Sequence, residues 1–310
     1  ANDLAIRIAR EYSGGTGIIV SQEAYHGTSD LTSGCSPALG TGQTLAATTR
    51  LVAAPDQYRF EGEDLGDWFA AQIQAQIDDM NANGIKFAGF LADSIFSSDG
   101  VMPNPIGFLK KAVDVVHANG GIFIADEVQP GFARTGDSFW GFGRHGVVPD
   151  IITTGKPMGN GIPVSGLLAK DHVLSAFSQK IPYFNTFGGN PVAMAAAQAV
   201  LKTIQEEELQ AHSQRLGGLL LTELRKLMEK YDCVGDVRGA GLFIGFELVQ
   251  DRFTKMPDKA LALDLIEELR NTHRVLTSVA GPYGNVLKLR PPLVFQEKDI
   301  DWLVGALDQA

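Results

Sequence analysis

Two apolar runs in the middle of the chain end in residues that can do chemistry. The run IFIA passes straight into the paired acids Asp126 and Glu127, and the run DIITT passes into Gly155 and Lys156. Both have the length and branched apolar content of buried strands. In an open α/β sheet, ligands bind at the carboxyl ends of the strands, so a carboxylate and an amine are expected at one binding edge. A lysine there, beside Gly155, which allows close approach of a ligand, suits a Schiff-base amine. Desolvation and a nearby cation favour its neutral, nucleophilic form. Asp126 then suits the ring nitrogen of pyridoxal phosphate, since a carboxylate that keeps this nitrogen protonated makes the ring a sink for a carbanion. The plainer readings are a solvated lysine and an acid that caps a helix or pairs with Arg134.

Other residues take roles around that pair. Tyr25 and His26 sit in a loop beside Gly27; with a flat cofactor present, Tyr25 is a candidate to stack on its face, and His26 is assigned to the same surroundings. Gln129 can donate to the cofactor's phenolic oxygen. Thr186, in NTFGGN, either offers a hydroxyl to a phosphate with the help of glycine amides or belongs to a simple turn. Lys288 and Arg290, in LKLRPP, are candidates for a substrate carboxylate; an alternating strand points both to one face, so spacing does not separate them.

Some motifs exclude functions. GAGLFIG (239–245) lacks the spacing of a dinucleotide turn and is followed by an apolar strand rather than a helix, and Gly155-Lys156 lacks the rest of a phosphate-binding loop. Cys35, Cys233 and the histidines show no metal-type spacing. The 310 residues carry a formal net charge of −10, which argues against a nucleic-acid or anionic-membrane surface. No apolar run approaches the roughly 20 residues that span a bilayer. With two separated cysteines, the expectation is a cytoplasmic protein.

The elements that must position these residues are strands alternating with helices. An apolar helix occupies the first residues up to Gly14, IIVS is a strand, 65–80 an amphipathic helix, KFAGFLADS a strand and 106–118 a helix leading into IFIA. This order implies parallel βαβ units. The segment IPVSGLLA (162–169) reads as another buried strand, the stretch from Gly27 to about Arg50 as an irregular connection, and the region after Pro191 as helix with breaks to about Lys230. Short strands, a helix, the strands VLTSV and NVLKLRPPLVF and a last helix follow. The expectation is an α/β large domain, 1–217, with a mixed, mainly parallel sheet, and a smaller α+β domain, 218–310. Because the first residue already reads as part of a helix, the large domain is expected to be incomplete at its N-terminus.

Taken together, AYHG, IADEVQPGFARTG, TTGKPMGNG, NTFGGNP and LKLRPPL resemble the class III aminotransferases of the fold type I pyridoxal-phosphate enzymes, over nearly the whole chain. The resemblance implies that Lys156 carries the cofactor as a Schiff base, Asp126 pairs with the pyridine nitrogen, Tyr25 stacks on the ring and Gln129 lies near its phenolic oxygen. It also implies that Thr186 reaches the phosphate of a neighbouring subunit, so that a homodimer is the smallest active unit. The implied reaction moves an amino group from an amine or amino acid to a keto acid; the alternatives are a phospholyase acting on a phosphorylated amine and a non-catalytic protein of the same fold. The sequence departs from the family pattern in three places. A Gly-Ser or Gly-Thr pair before the first helix is absent, DSIFSSDG has Ser98 where a gating glutamate is common, and Lys288 stands at a common arginine position with Arg290 displaced beside the prolines. The last two changes are similar to the branch with phospholyases of phosphoethanolamine or phosphohydroxylysine.

Overall fold

The computed structural model describes all 310 residues. In chain order the elements are α1 (Asn2–Ser13), β1 (Gly17–Ser21), α2 (Asp30–Ser33), β2 (Thr49–Val52), α3 (Leu65–Ala82), β3 (Phe87–Ala92), α4 (Leu109–Ala118), β4 (Ile122–Asp126), β5 (Ile151–Thr154), β6 (Gly166–Ala169), α5 (Asp171–Ser178), α6 (Pro191–Glu206) and α7 (Leu209–Lys230). There follow β7 (Val234–Ala240), β8 (Phe243–Asp251), β9 (Met256–Pro257), α8 (Lys259–Asn271), β10 (Val279–Ala280), β11 (Val286–Leu289) and α9 (Glu297–Gln309).

The first sheet has the order β2-β1-β3-β4-β5-β6. Its pairings are parallel from β2 to β5, and β6 joins β5 antiparallel. Strands β1, β3 and β4 are buried along their whole length, because the period-2 alternation of their side chains feeds two separate cores. Phe90, Phe123 and Ala125 pack with Phe69, Ile73 and Leu109 of α3 and α4, whereas Leu91, Ile122 and Ile124 pack with Ile6 and Ile8 of α1 and Val173 and Phe177 of α5. Helix α1 closes with Gly14 in the left-handed conformation, where a side chain would be strained.

The second sheet is antiparallel, β10-β11-β8-β7 with β9 on β8. Leu216, Leu220 and Leu224 of α7, Leu265 of α8 and Leu303 of α9 pack against Ile244, Phe246 and Leu287 of its strands. Helix α7 runs without a break through position 217. There it approaches the β7–β8 turn so closely that a Cβ on Gly217 would lie 2.1 Å from the Gly241 carbonyl oxygen.

Five details of the sequence reading change. Residues 162–165 lie outside any strand, and β6 is a half-exposed edge strand; the apolar residues of this segment are not those of a central strand. VLTSV pairs with β11 only from Val279 on, and the strand expected in NVLKLRPPLVF ends at Leu289, where Pro291 and Pro292 supply no N–H for a ladder. The 27–50 connection holds the short α2 and the edge strand β2. Helix α5 was not anticipated and covers one face of the sheet with Val173 and Phe177.

Candidate active site

The parallel strands deliver the candidate residues to one edge. Tyr25 and His26 lie just past β1, Asp93 follows β3, Asp126 is the last residue of β4, and Lys156 stands two residues beyond β5. These five residues, with Asn2, Gly27, Val128 and Gln129, line a cavity of about 90 Å³. Val128, Gln129 and Lys156 also line an adjoining opening of about 330 Å³, walled by Arg134, Phe243, Leu276, Thr277, Lys288 and Arg290. Lys156 therefore stands between an inner, mostly acidic compartment and an outer, cationic one.

Lys156 begins a short 3₁₀ turn, Lys156–Gly159, with φ +34°. A non-glycine residue in that region is strained and is held there only by its surroundings. Its amine forms no ion pair or hydrogen bond within the protein; its nearest aromatic neighbour is Tyr25, with Nζ 5.9 Å from the ring centroid.

Asp126 neither caps a helix nor pairs with Arg134. Its Oδ2 accepts from Asn2 Nδ2 at 2.7 Å and faces His26 Nδ1 at 2.8 Å, and its Oδ1 accepts from the Val128 N–H at 3.1 Å. Burial alone would raise its pKa, but the His26 hydrogen bond and charge, with the Asn2 and Val128 hydrogen bonds, hold the carboxyl below the usual carboxylate range. An ionised, buried carboxylate with capacity left on Oδ1 is what a protonated ring nitrogen requires.

Its neighbour Glu127 points elsewhere. Its carboxyl accepts from Ser94 Oγ at 2.6 Å and from the Gly141 and Phe142 amides at 2.6 and 3.0 Å, tying the aromatic 137–146 loop to the sheet. Burial pushes its pKa up to about 8. Asp93, half-buried, accepts from the Ile95 and Ser97 amides; burial, with Asp126 nearby, moves its pKa upward.

The outer opening holds three cations that form no ion pair. Arg134 donates to the carbonyls of Leu242 and Pro291, and burial followed by repulsion from Arg290 lowers its pKa to about 10. Lys288 donates to the Ser97 carbonyl at 3.2 Å; burial, then Arg290, lowers its pKa to about 8. Arg290 reaches Ser278 Oγ at 3.4 Å. Lys288 and Arg290 do face the same space, as their spacing implies.

Thr186 lies elsewhere. It is exposed, and the surface cavity formed by its neighbours Asn185, Phe187 and Gly188 shares no residue with the two compartments beside Lys156. The structure brings Tyr25, His26, Asp126, Gln129 and Lys156 together, places Lys288 and Arg290 across the opening, and leaves Thr186 outside the cavity of its own chain.

The sequence reading missed Asn2, Asp93, Arg134 and Thr153 as parts of the site. Asp93 ends a strand just as Asp126 does, so the same argument would have found it. Arg134 was considered only as a partner of Asp126. Nothing in the sequence marks Asn2, and Thr153, although it opens the TTGKPMGNG motif, shows no role there; their hydrogen bonds bridge residues far apart in the chain.

A strained lysine at a strand end, an ionised aspartate one strand away and an aromatic face beside both define a site built for an electrophilic, ring-containing cofactor. The chain belongs to the class III aminotransferase family, whose model matches residues 1–310. It is 39% identical to the alanine–glyoxylate aminotransferase 2-like protein of Drosophila melanogaster, aligning over 98% of this chain and spanning 64% of that relative's length. Among solved structures it is similar to a phospholyase from Arthrobacter in complex with phosphoethanolamine, at TM-score 0.94 and 38% identity, covering 100% of this chain and 74% of that one. It is also similar to an amine transaminase from an uncultivated Pseudomonas species in its pyridoxal-phosphate-bound form, at TM-score 0.88 and 30% identity, covering 99% and 73%. These neighbours share the fold type I architecture.

Proposed function

We propose that this chain forms the catalytic part of a pyridoxal-phosphate-dependent aminotransferase that takes the amino group of an amine or amino acid and passes it to a keto acid. The observation that carries the reading is the unpaired Lys156 amine beside Tyr25, in the same cavity as the ionised Asp126. The residues present fit the cofactor: Lys156 would carry it through Nζ, Asp126 would accept from its ring nitrogen through Oδ1, Tyr25 would pack on its ring and Gln129 would serve its phenolic oxygen. When bound, the group supplies an aldehyde carbon and an electron-withdrawing ring that weakens the C–H bond next to the substrate's amine. Lys156 Nζ would take the proton from that carbon as base and, as acid, deliver it to the aldehyde-derived carbon of the bound group. Asp126 keeps the ring nitrogen protonated throughout. Lys288, Arg290 and Arg134 orient an anionic end of the substrate.

The three unpaired cations favour a second reading. Together they can neutralise a dianion, as a carboxylate does not require, which suits elimination of phosphate from a phosphorylated amine with the same proton abstraction at Lys156. The test gives the full-length protein, with pyridoxal phosphate, either an amine donor with pyruvate or glyoxylate, or a phosphorylated amine alone. Keto-acid consumption supports transfer; phosphate release without it would sink the transfer reading in favour of elimination. A protein that binds no cofactor would leave only a non-catalytic role for the fold.

A homodimer is part of the proposal. Its support is the apolar surface around Thr186, where Phe184, Phe187 and Val192 are 85%, 79% and 70% exposed, and helix α6, which buries only Ala193 and Ile204. An exposed apolar patch of this kind marks an interaction surface. On this reading Thr186 serves the cofactor phosphate of the partner protomer. Sedimentation should give a dimer for the wild type and a monomer for the Phe184→Asp, Phe187→Asp double variant; a monomeric wild type would refute it. A cytoplasmic location completes the reading, supported by the two free cysteines.

A further inference from the structure

Asp126 is held by His26 together with two residues, Asn2 and Thr153, that have no role in the sequence reading of the site. Asn2, at the start of α1, is buried and uses each of its amide groups. Its Nδ2 donates to Asp126 Oδ2 at 2.7 Å and to the His26 carbonyl at 2.9 Å, and its Oδ1 accepts from Thr153 Oγ1 at 2.5 Å. Thr153 is fully buried on β5. Because a hydroxyl donor faces one end of the Asn2 amide, the NH₂ end is turned toward the carboxylate and the carbonyl. His26 approaches the same Oδ2 from the loop after β1 at 2.8 Å. An ionised carboxylate only accepts hydrogen bonds, so Nδ1 carries the hydrogen; Nε2 is buried without a partner.

Counting lone pairs gives the consequence. Oδ2 accepts two hydrogen bonds and is saturated, whereas Oδ1 accepts one, from the Val128 N–H. We propose that Asn2, oriented by Thr153, acts with His26 as a set of positioning residues that lock the Asp126 carboxylate, leaving one acceptor site on Oδ1 for the cofactor's ring nitrogen. The lock ties the ends of three parallel strands to α1, so the acceptor is aimed before the cofactor arrives. Preorganisation of this kind raises affinity by removing the cost of ordering the partner. The inference rests on the pyridoxal-phosphate reading of the site.

The test uses the full-length protein and pyridoxal phosphate as the probe. Three variants are compared with wild type: Thr153→Val, close in size but without the hydroxyl; Thr153→Ser, which restores it; and Asn2→Leu. The readouts are the dissociation constant of the cofactor, the pH dependence of its bound absorption band, and the melting temperature of the cofactor-free protein. The charged and titratable groups sharing the cavity with Asp126 are Tyr25, His26, Asp93 and Lys156; all are unchanged in these variants, so a moved titration reports the lock. Asn2→Leu should weaken binding about tenfold or more, the scale of one hydrogen bond to a charged group, and Thr153→Val several-fold, the scale of one neutral hydrogen bond. They should also shift the pH dependence of the band, with Thr153→Ser returning both toward wild type. Unchanged affinity and titration in Thr153→Val would overturn the inference, as would a lowered melting temperature with an unmoved titration. Failure of the wild type to bind the cofactor would instead refute the reading of the site itself.

Discussion

The two compartments on either side of Lys156 are built in opposite ways. On the inner side the charge of Asp126 is met from three directions, by Asn2, His26 and the Val128 amide, and the carboxyl stays ionised despite its burial. On the outer side Arg134, Lys288 and Arg290 form no ion pair, and burial and mutual repulsion lower the pKa of Arg134 and Lys288. A charge satisfied by the protein is a fixed part of the machinery, because it is stable without a ligand. Cations left unsatisfied lower stability in the empty site, and an anion restores what they lose. On the proposed reading the inner wall serves a resident group and the outer wall a passing one.

The strongest way to break this contrast is to remove the group between the walls. Lys156→Ala should lower kcat by about 10⁴-fold, the upper end for a positioned proton-transfer group, measured as turnover with saturating substrate. An effect below about tenfold would place the chemistry elsewhere. Next comes the inner wall. Asp126→Asn removes a buried charge from its partners, a change worth about 3–5 kcal/mol, and should weaken cofactor binding roughly 10²–10³-fold in a fluorescence titration. The outer wall should behave differently: Lys288→Met or Arg290→Met should raise KM for an anionic substrate about 10–100-fold while leaving cofactor affinity unchanged. If either variant loses the cofactor instead, the division into resident and passing sides fails.

The smallest effect is in pH. Lys288, with its pKa lowered to about 8, is cationic below that value and neutral above it. For an anionic substrate kcat/KM should therefore fall several-fold as pH rises through about 8, and Lys288→Arg should abolish that limb. The sign is reversed for stability. The unfolded chain keeps this proton up to about 10.5 and the folded one releases it near 8, so the group's contribution to stability rises with pH between those values. A melting temperature that falls over this range in wild type relative to Lys288→Met would contradict the burial of that charge.

Much of the inner site was legible because its chemistry coincides with strand ends. An apolar run halted by an acid or a lysine is a local signal, and it placed Asp126 and Lys156 at one edge through the rule that parallel strands end together. Tyr25, Gln129, Lys288 and Arg290 followed from short motifs. The hidden part consists of contacts that bridge long intervals of chain. Thr153 and Asn2 are 151 residues apart in sequence, and although Thr153 opens the TTGKPMGNG motif, nothing local pairs it with Asn2. Edge elements were misjudged for a related reason: β6 and 275–279 are as apolar as buried strands, yet pair on one side or over two residues only. Pairing partners decide such segments, and composition does not carry that information.

On the proposed reading Lys156 carries the cofactor between the two walls. The most direct test is reduction of the full-length, pyridoxal-phosphate-treated protein with borohydride, followed by peptide mapping. One modified lysine, Lys156, is expected, with the long-wavelength absorption band lost on reduction. A label on Lys288, the other amine lining the opening, or no label at all, would contradict it.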